Sequence, residues 1–342
     1  MPKLLSNSLI LVFSLLLGVV LVELLSRLVL PVSPGAQNLT IDGLPLKTIS
    51  GNSMRYHANL EFRQVSEEFD SRATIDLYGN RSVGGVTDNP EVIFLGDSFT
   101  FGHGLRDGET FSEIYCKKTN TSCANLGRNG SGTFVQLNIL QHYLDTENWR
   151  PREVKLFVLA MTSTLMNGND LLDNYYFTKV RDARSKATTE SGANNAAASV
   201  KAPPNTNRWL QIRQKALQHS NLIRAIYFQI APLLRARFSP KPGQKTLETA
   251  LASTREAFAQ LSEISTRYGF KYKIYLLHPV QDLIRNSWQE TARLVTQVAP
   301  GTVIIDTANV FTPDPQSYYF SYDGHFNAKG AGVLAKFLLS ER

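Results

Sequence analysis

The chain has 342 residues, of which 43% are hydrophobic and 19% charged, and its formal net charge is +7. This apolar content is ordinary for a globular protein and excludes a disordered or fibrous chain. The basic residues are scattered, without a dense run, a zinc-finger spacing or an RNP-like motif, so the sequence predicts no nucleic-acid binding.

The first predicted element is an apolar helix at the N-terminus. Residues 4–22 are almost all apolar and approach the roughly 20 residues that a helix needs to cross a bilayer. The segment runs on through residues 27–31 without the small residues of a signal-peptide cleavage site. We therefore predict an uncleaved signal anchor, a transmembrane helix over residues 1–30. Lys3 and Arg27 flank the segment, so the positive-inside rule orients it only weakly.

Residues 31–90 are mixed in composition and hold several turn signals, among them Pro34-Gly35, Asp42-Gly43 and Gly79-Asn80. We interpret this stretch as a stalk followed by short strands. It leads into a main domain that is predicted to span residues 91–342.

Short apolar runs alternate with helical patterns in the main domain. Such runs are typical of strands buried on both faces of a sheet. The alternation predicts a parallel α/β sheet covered on both sides, with functional sites beyond the carboxyl ends of the strands. The predicted strands are Val92–Leu95, Ala124–Leu126, Val154–Met161, Tyr272–Leu277 and Val303–Asp306.

An insertion is predicted at about residues 180–245, between the third and fourth strands. Residues 185–207 are rich in small and polar residues and are predicted to be a disordered loop. A helical pattern over residues 208–238 follows. The insertion could act as a lid or a partner surface, but an extra packing layer is the simpler interpretation.

Cys116 and Cys123 do not form a CxxC pair, so a metal or thioredoxin-like site is not indicated. A disulfide could close the residues between them in an oxidising compartment. Two separate buried thiols fit equally well.

The sharpest local signal is Gly96-Asp97-Ser98, which ends the first predicted strand. It places a serine hydroxyl at the carboxyl edge of the sheet. A serine is a poor nucleophile unless a neighbouring base takes its proton, and without one the motif would be only a turn.

The candidate base is His325, which follows Asp323 by two residues in a loop before the last helix. A carboxylate can hold the imidazole in one tautomer while the other ring nitrogen faces the serine. His103 lies close to Ser98 in sequence but shows no orienting partner. His278 follows a predicted strand and is at best part of the pocket wall.

Two further segments can supply donors for a developing oxyanion. Gly130 follows the second strand and can bring its backbone N–H close to a substrate. Asn169 follows the third strand and can offer its side-chain amide. Each segment alone is usually a plain turn, but the chain order of these residues and Ser98 strengthens the pattern.

In these blocks the chain resembles the SGNH, or GDSL-type, hydrolase superfamily from about residue 77 onward. The family's blocks match Gly96-Asp97-Ser98-Phe99, Gly130, Gly168-Asn169-Asp170 and Asp323 with His325. The membrane-anchored bacterial branch is similar in its leading apolar segment, in Gly79-Asn80-Arg81 and in Ile305-Asp306. The spacing Asp323-Gly324-His325 departs from the Asp-x-x-His of many members, and Tyr322, three before the histidine, cannot be the acid.

The resemblance implies a flavodoxin-like three-layer α/β/α fold with no metal and no cofactor. It implies Ser98 as nucleophile, His325 as base and Asp323 as acid, with Ser98, Gly130 and Asn169 forming the oxyanion hole. The implied chemistry is hydrolysis or transfer of small acyl groups, often acetyl, on carbohydrates or lipids.

The sequence therefore predicts a serine esterase, attached to a bacterial inner membrane by its N-terminal helix, with the catalytic domain outside the cytoplasm. Its expected substrate is an acylated carbohydrate or lipid. The alternatives are an O-acetyltransferase that acts on an envelope polysaccharide and a non-catalytic assembly protein that keeps the fold.

Overall fold

The computed structural model describes residues 2–29, 46–50, 53–66, 68–85, 88–162, 169–190, 216, 219–226, 244–321 and 323–341. The chain divides into two compact units. The smaller comprises residues 1–39, 65–67 and 195–239, and the larger comprises the remainder. The predicted domain boundaries at residues 30 and 90 stay a prediction.

Helix α1 (Pro2–Val29) is the main element of the smaller unit. Within that unit, the carboxylate of Glu23 accepts hydrogen bonds from Asn221 N at 2.7 Å, Ser220 Oγ at 2.8 Å and Leu222 N at 3.1 Å. These bonds satisfy the N-terminus of the short helix Asn221–Arg224.

The transmembrane helix that the sequence predicts over residues 1–30 is not found. Among the residues described, no helix has both the length and the apolar character that a bilayer crossing requires.

Two small two-stranded sheets precede the main sheet of the larger unit. Strands β1 (Leu46–Ser50) and β2 (Ser53–Tyr56) pair antiparallel, and β3 (Leu60–Val65) pairs with β4 (Asp70–Ile75).

Two buried arginines tie this lead-in segment to the main sheet. Arg81 donates to Asp107 and to the carbonyl of Leu105. Arg128 donates to Asn80 Oδ1 at 2.7 Å and to the carbonyl of Gly79 at 3.0 Å. Residues 79–81 are therefore fixed to the larger unit by charged hydrogen bonds. The predicted stalk stays a prediction.

Five parallel strands form the main sheet, and each coincides with a predicted strand to within two residues. They are β5 (Val92–Leu95), β6 (Cys123–Asn125), β7 (Glu153–Leu159), β8 (Lys271–Leu277) and β9 (Ile304–Asp306). Their spatial order is β6-β5-β7-β8-β9, which is 2-1-3-4-5 when the five are counted along the chain. This is the flavodoxin-like order, whose switch point lies between the first and third strands.

Helices pack on both faces of this sheet, and the predicted α/β class with a parallel central sheet is confirmed. The helices of the larger unit are α2 (Ser98–Phe101), α3 (Phe111–Thr119), α4 (Thr133–Thr146), α5 (Asp170–Glu190), α6 (Gln244–Tyr268), α7 (Val280–Arg285), α8 (Trp288–Val298), α9 (Ala308–Phe311), α10 (Pro315–Tyr318) and α11 (Ala328–Ser340).

Alternate residues of β5 point into two separate cores. Ile93 and Leu95 join a cluster with residues of α4 and α6, whereas Val92 and Phe94 join a cluster with residues of α3 and α11. All four side chains are fully buried, which explains why this strand is apolar throughout and does not alternate.

The structure also bears on the two cysteines and on the predicted insertion. Cys116 and Cys123 form a disulfide that joins α3 to β6, so the two thiols are not separate. Residues 185–190 belong to α5, whereas the rest of the predicted disordered loop, residues 191–207, lies outside the described residues. Of the predicted helical segment 208–238, only residues 216 and 219–226 are described.

Candidate active site

Ser98 is the first residue of α2 and follows the carboxyl end of β5. Asp97 caps this short helix, since its Oδ1 accepts a hydrogen bond from Phe99 N at 2.9 Å. Gly96 has no room for a side chain, because a Cβ there would overlap Thr100 and approach the carbonyl of Phe157 to 2.9 Å. The serine is thus held on a tight turn at the switch point of the sheet, where ligands of this fold bind.

The loop between α10 and α11 carries His325. Phe320 and His325 close it through a hydrogen bond from Phe320 N to His325 O at 2.8 Å. Gly324 adopts a left-handed conformation, with φ of 83°, and its N–H donates to Phe320 O at 3.0 Å. This turn explains how the short Asp-x-His spacing works, because a glycine between the two residues can adopt the backbone angle that brings their side chains together.

Three side chains form a continuous hydrogen-bonded line. Ser98 Oγ lies 2.7 Å from His325 Nε2, and His325 Nδ1 lies 2.6 Å from Asp323 Oδ1. Ser98 and His325 are 227 residues apart in the chain, so this contact is a product of the fold. The arrangement is that of a nucleophile, a base and an orienting acid.

Asp323 is kept ionised by its partners. Burial alone would raise its pKa, but the contact with His103 and the hydrogen bond with His325 outweigh burial and hold the pKa of Asp323 well below its usual range. The carboxylate is therefore charged at any pH at which a histidine could act as a base, and it can stabilise a protonated His325.

No orienting partner of His103 is evident in the sequence, but the structure places this residue beside Asp323. Its Nε2 lies 3.4 Å from Asp323 Oδ2, and its ring centroid lies 4.5 Å from that of His325. Burial lowers the pKa of His103, so the ring is neutral near pH 7. Its only signal in the sequence is its position five residues after Ser98.

Glu68 is a second residue that sequence reasoning missed. Its carboxylate accepts hydrogen bonds from the backbone N–H groups of Ser321 and Asp323, the latter at 2.8 Å. These bonds hold the loop that carries the acid and the base. Nothing in the sequence around Glu68 indicates this contact, because its partners lie more than 250 residues away.

Gly130 lies in the loop after β6 and is exposed, in a left-handed conformation with φ of 64°. The same loop packs closely against the start of α5, because a Cβ on Gly132 would come within 2.5 Å of Asp173 Cβ.

Asn169 lies directly before α5 and is fully buried. Its Oδ1 accepts from Met161 N at 3.2 Å and its Nδ2 donates to Met161 O at 2.7 Å, so its amide is fixed in one orientation. The oxyanion-hole roles of Gly130 and Asn169 stay a prediction.

Two of the predicted site residues have an acidic neighbour in the chain: Asp97 precedes Ser98, and Asp170 follows Asn169. Burial raises the pKa of Asp97 to about 6, and the Asp173 carboxylate adds to this effect. Burial, together with the charges of Asp97 and Asp173, also raises the pKa of Asp170 well above its usual value. Burial is the largest cause of both shifts, so it favours the protonated forms of Asp97 and Asp170 more than the neighbouring carboxylates do.

His278, the predicted pocket-wall residue, is buried at the carboxyl end of β8. Its Nε2 lies 2.8 Å from Asp306 Oδ1 at the end of β9, and its carbonyl accepts from Tyr319 Oη at 2.9 Å. His278 therefore packs beside the loop of His325 and has an acidic partner of its own.

One group of three possible metal ligands occurs among the described residues. It consists of His103, Asp323 and His325, whose ligand atoms all lie within 4.8 Å of one another. The hydrogen bond between His325 and Asp323 and the 3.4 Å contact of His103 with Asp323 account for their closeness. The expectation of no metal and no cofactor stays a prediction.

No family model matches the chain. No curated protein matches it either.

Several solved structures are similar to the chain. A lipase/acylhydrolase from Enterococcus faecalis is 14% identical over 74% of this chain and 94% of its own, with a TM-score of 0.39. A GDSL-like lipase from Bacteroides thetaiotaomicron is 12% identical over 75% and 89%, with a TM-score of 0.34. A carbohydrate esterase family 2 enzyme from Corynascus thermopiles is 12% identical over 77% and 69%, with a TM-score of 0.36. At these TM-scores we draw neither fold nor function from the similarities.

Proposed function

We propose that the protein is a serine esterase of the SGNH type that hydrolyses small acyl esters. The observation that supports this most strongly is the hydrogen-bonded line from Ser98 through His325 to Asp323. The topology supports it independently, because the serine follows the first strand at the switch point of a 2-1-3-4-5 sheet.

The first half of the proposed reaction forms an acyl-enzyme. Asp323 accepts the Nδ1–H of His325, which leaves the Nε2 lone pair free to take the Ser98 proton. Ser98 Oγ attacks the ester carbonyl carbon, and the carbonyl π electrons move to the oxygen. The tetrahedral intermediate then expels the alcohol, which takes the proton from His325 Nε2.

The second half repeats these steps with water. His325 takes a proton from water, and the hydroxide attacks the acyl carbon. Collapse of the intermediate breaks the bond to Ser98 Oγ, which recovers its proton from His325. We assign the stabilisation of the oxyanion to the backbone N–H groups of Ser98 and Gly130 and to the side-chain amide of Asn169. Two observations support this assignment: Gly130 is exposed, and the Asn169 amide is held in one orientation.

The substrate is proposed to be a small, acetyl-like acyl ester of a carbohydrate or lipid, on the strength of the family resemblance. An O-acetyltransferase would use the same acyl-enzyme and differ only in its acceptor, a sugar hydroxyl in place of water. We also propose a location outside the cytoplasm, which the Cys116–Cys123 disulfide supports because structural disulfides persist in oxidising compartments.

The test is Ser98→Ala assayed with p-nitrophenyl acetate. We expect kcat to fall at least about 1,000-fold, because the nucleophile acts as a unit with its base. Ser340→Ala, at the end of α11, is the control and should keep wild-type activity.

A fluorophosphonate probe gives a second measurement on the same proteins. It should label the wild type at Ser98 and leave Ser98→Ala unlabelled. Full activity in Ser98→Ala, or no labelling of the wild type, would disprove the esterase and favour the assembly protein. Product analysis with a glycan acceptor decides between hydrolysis, which releases free acid, and transfer, which does not.

A further inference from the structure

Asp323 faces two imidazoles. His325 Nδ1 lies 2.6 Å from its Oδ1, and His103 Nε2 lies 3.4 Å from its Oδ2. The two histidines come from different parts of the chain, one from the turn after α2 and the other from the loop before α11. The two oxygens of the Asp323 carboxylate are thus contacted by histidines that lie far apart in the chain.

The backbone around His103 leaves the ring little freedom. Gly102 and Gly104 flank it, both left-handed, with φ of 83° and 78°. The N–H of Gly104 donates to Gln64 Oε1 at 2.8 Å. A side chain on Gly104 would come within 2.8 Å of the rings of Phe69 and Phe320, so the turn is packed from outside as well.

The ring itself is enclosed. His103 is only 5% exposed, and the ring of Phe69 packs edge-on against it at 5.5 Å between centroids. Nε2 is the ring nitrogen that faces the carboxylate. We assign the proton of the neutral ring to it, because only a protonated Nε2 can donate to Asp323. A distance of 3.4 Å is long for a hydrogen bond, and contacts of this kind shorten in catalytic complexes.

Within the described part of the chain and apart from His103, the side-chain carboxylate of Asp323 is bonded by His325 alone, through Nδ1 at 2.6 Å and the backbone N–H at 3.3 Å, and both bonds go to Oδ1. A carboxylate that is held on one oxygen can turn and draw the catalytic imidazole away from the serine. A donor to the other oxygen, fixed to another element, removes this freedom. We propose that His103 is a positioning residue, whose Nε2–H donates to Asp323 Oδ2 and locks the carboxylate that aims His325 at Ser98. The inference rests on the proposed esterase for its kinetic test, though its geometry does not.

Two amide substitutions separate hydrogen bonding from packing. The amide nitrogen of His103→Gln reaches about as far as imidazole Nε2, whereas that of His103→Asn reaches only as far as Nδ1. We expect His103→Asn to lower kcat for p-nitrophenyl acetate about 10- to 100-fold with KM within about twofold, the size for losing one hydrogen bond to a charged group. His103→Gln should recover most of this loss.

A spectroscopic measurement reports the same contact without turnover. A strongly downfield proton on Nδ1 of His325, assigned by its absence in His325→Gln, signals the bond to Asp323. It should persist in the wild type and in His103→Gln and be lost or broadened in His103→Asn. His142→Gln on α4, whose ring contacts Thr146, is the control and should change neither kcat nor the signal.

Equal kcat in His103→Asn and the wild type would overturn the proposal. So would an equal loss in both amide variants with the downfield signal intact, because packing alone would then account for the loss. If His103→Asn fails to fold, His103→Leu, which keeps an apolar contact with Phe69, replaces it with the same expected loss. A wild type with the signal but no hydrolysis would disprove the esterase and leave the positioning role standing.

Discussion

At the scale of single residues, the site depends on how carboxylates are surrounded. Asp323 and Asp173 are both partly buried, but their pKa values move in opposite directions. Burial raises the pKa of both carboxyls, and only at Asp323 do interactions with histidines outweigh this effect. The consequences for pH dependence therefore have opposite signs.

For Asp323, the folded state has the lower pKa, so its ionised form stabilises the fold. This stabilisation is present above the unfolded pKa of about 4 and is lost as the pH falls below it. Asp323→Asn should therefore lower the melting temperature at pH 7 more than at pH 3. It should also reduce kcat on the order of 1,000-fold or more, because the amide favours the wrong tautomer of His325. Wild-type kcat in this variant would remove Asp323 from the triad.

For Asp173, burial raises the pKa to about 6, so the folded state holds its proton more tightly. Ionisation of Asp173 therefore destabilises the folded state. The free energy of unfolding falls as the pH rises from about 4 to 6, and above pH 6 the whole of this destabilisation is present. Asp173→Asn, which cannot ionise, should gain stability relative to the wild type between pH 4 and pH 8 in urea unfolding. Asp182→Asn, on the exposed part of α5, is the control. If the free energies of unfolding of Asp173→Asn and the wild type differed by the same amount at every pH in this range, the raised pKa of Asp173 would be contradicted.

At the scale of elements, the β3–β4 pair acts as a support for the catalytic loop. Glu68 follows β3 and accepts the N–H groups of Ser321 and Asp323. Glu68→Ala leaves both without their acceptor, so we expect kcat to fall about 10-fold as the loop loses its anchor. Glu61→Ala on β3, which removes an exposed ion pair with Arg72 of β4, should have no effect on kcat. Equal activities of the two variants would show that the loop holds its own shape.

The five strands of the main sheet could be predicted because each contains a short stretch rich in apolar residues. The clearest case is Val92–Leu95, whose four side chains are all fully buried. Ser98 and His325 could also be singled out, since each lies in a motif of a few adjacent residues, and the structure brings the two side chains within 2.7 Å of each other. His103 and Glu68 were not visible. Their partner, the loop of Asp323, is more than 200 residues away in the chain, and sequence patterns record local order but not contacts of this separation.

At the scale of the whole molecule, the disulfide joins α3 to the edge strand β6. Its two cysteines, Cys116 and Cys123, are seven residues apart in the chain. A loop of this length stabilises the folded state by about 2 kcal/mol in the chain-entropy description. Reduction with dithiothreitol, or the double change Cys116→Ala with Cys123→Ala, should lower the free energy of unfolding by about that amount in urea titration. Esterase activity should persist below the transition, because neither cysteine contacts the triad. Loss of activity without loss of stability would mean that the bridge shapes the site.

The long separation between Ser98 and His325 has a consequence for the growing chain. Ser98 is synthesised before His325, which is joined to the chain 227 positions later. A nascent polypeptide that lacks this stretch has no base to activate the serine. In the proposed esterase, reactivity toward esters therefore begins only after the segment of His325 has been made and has docked beside Ser98.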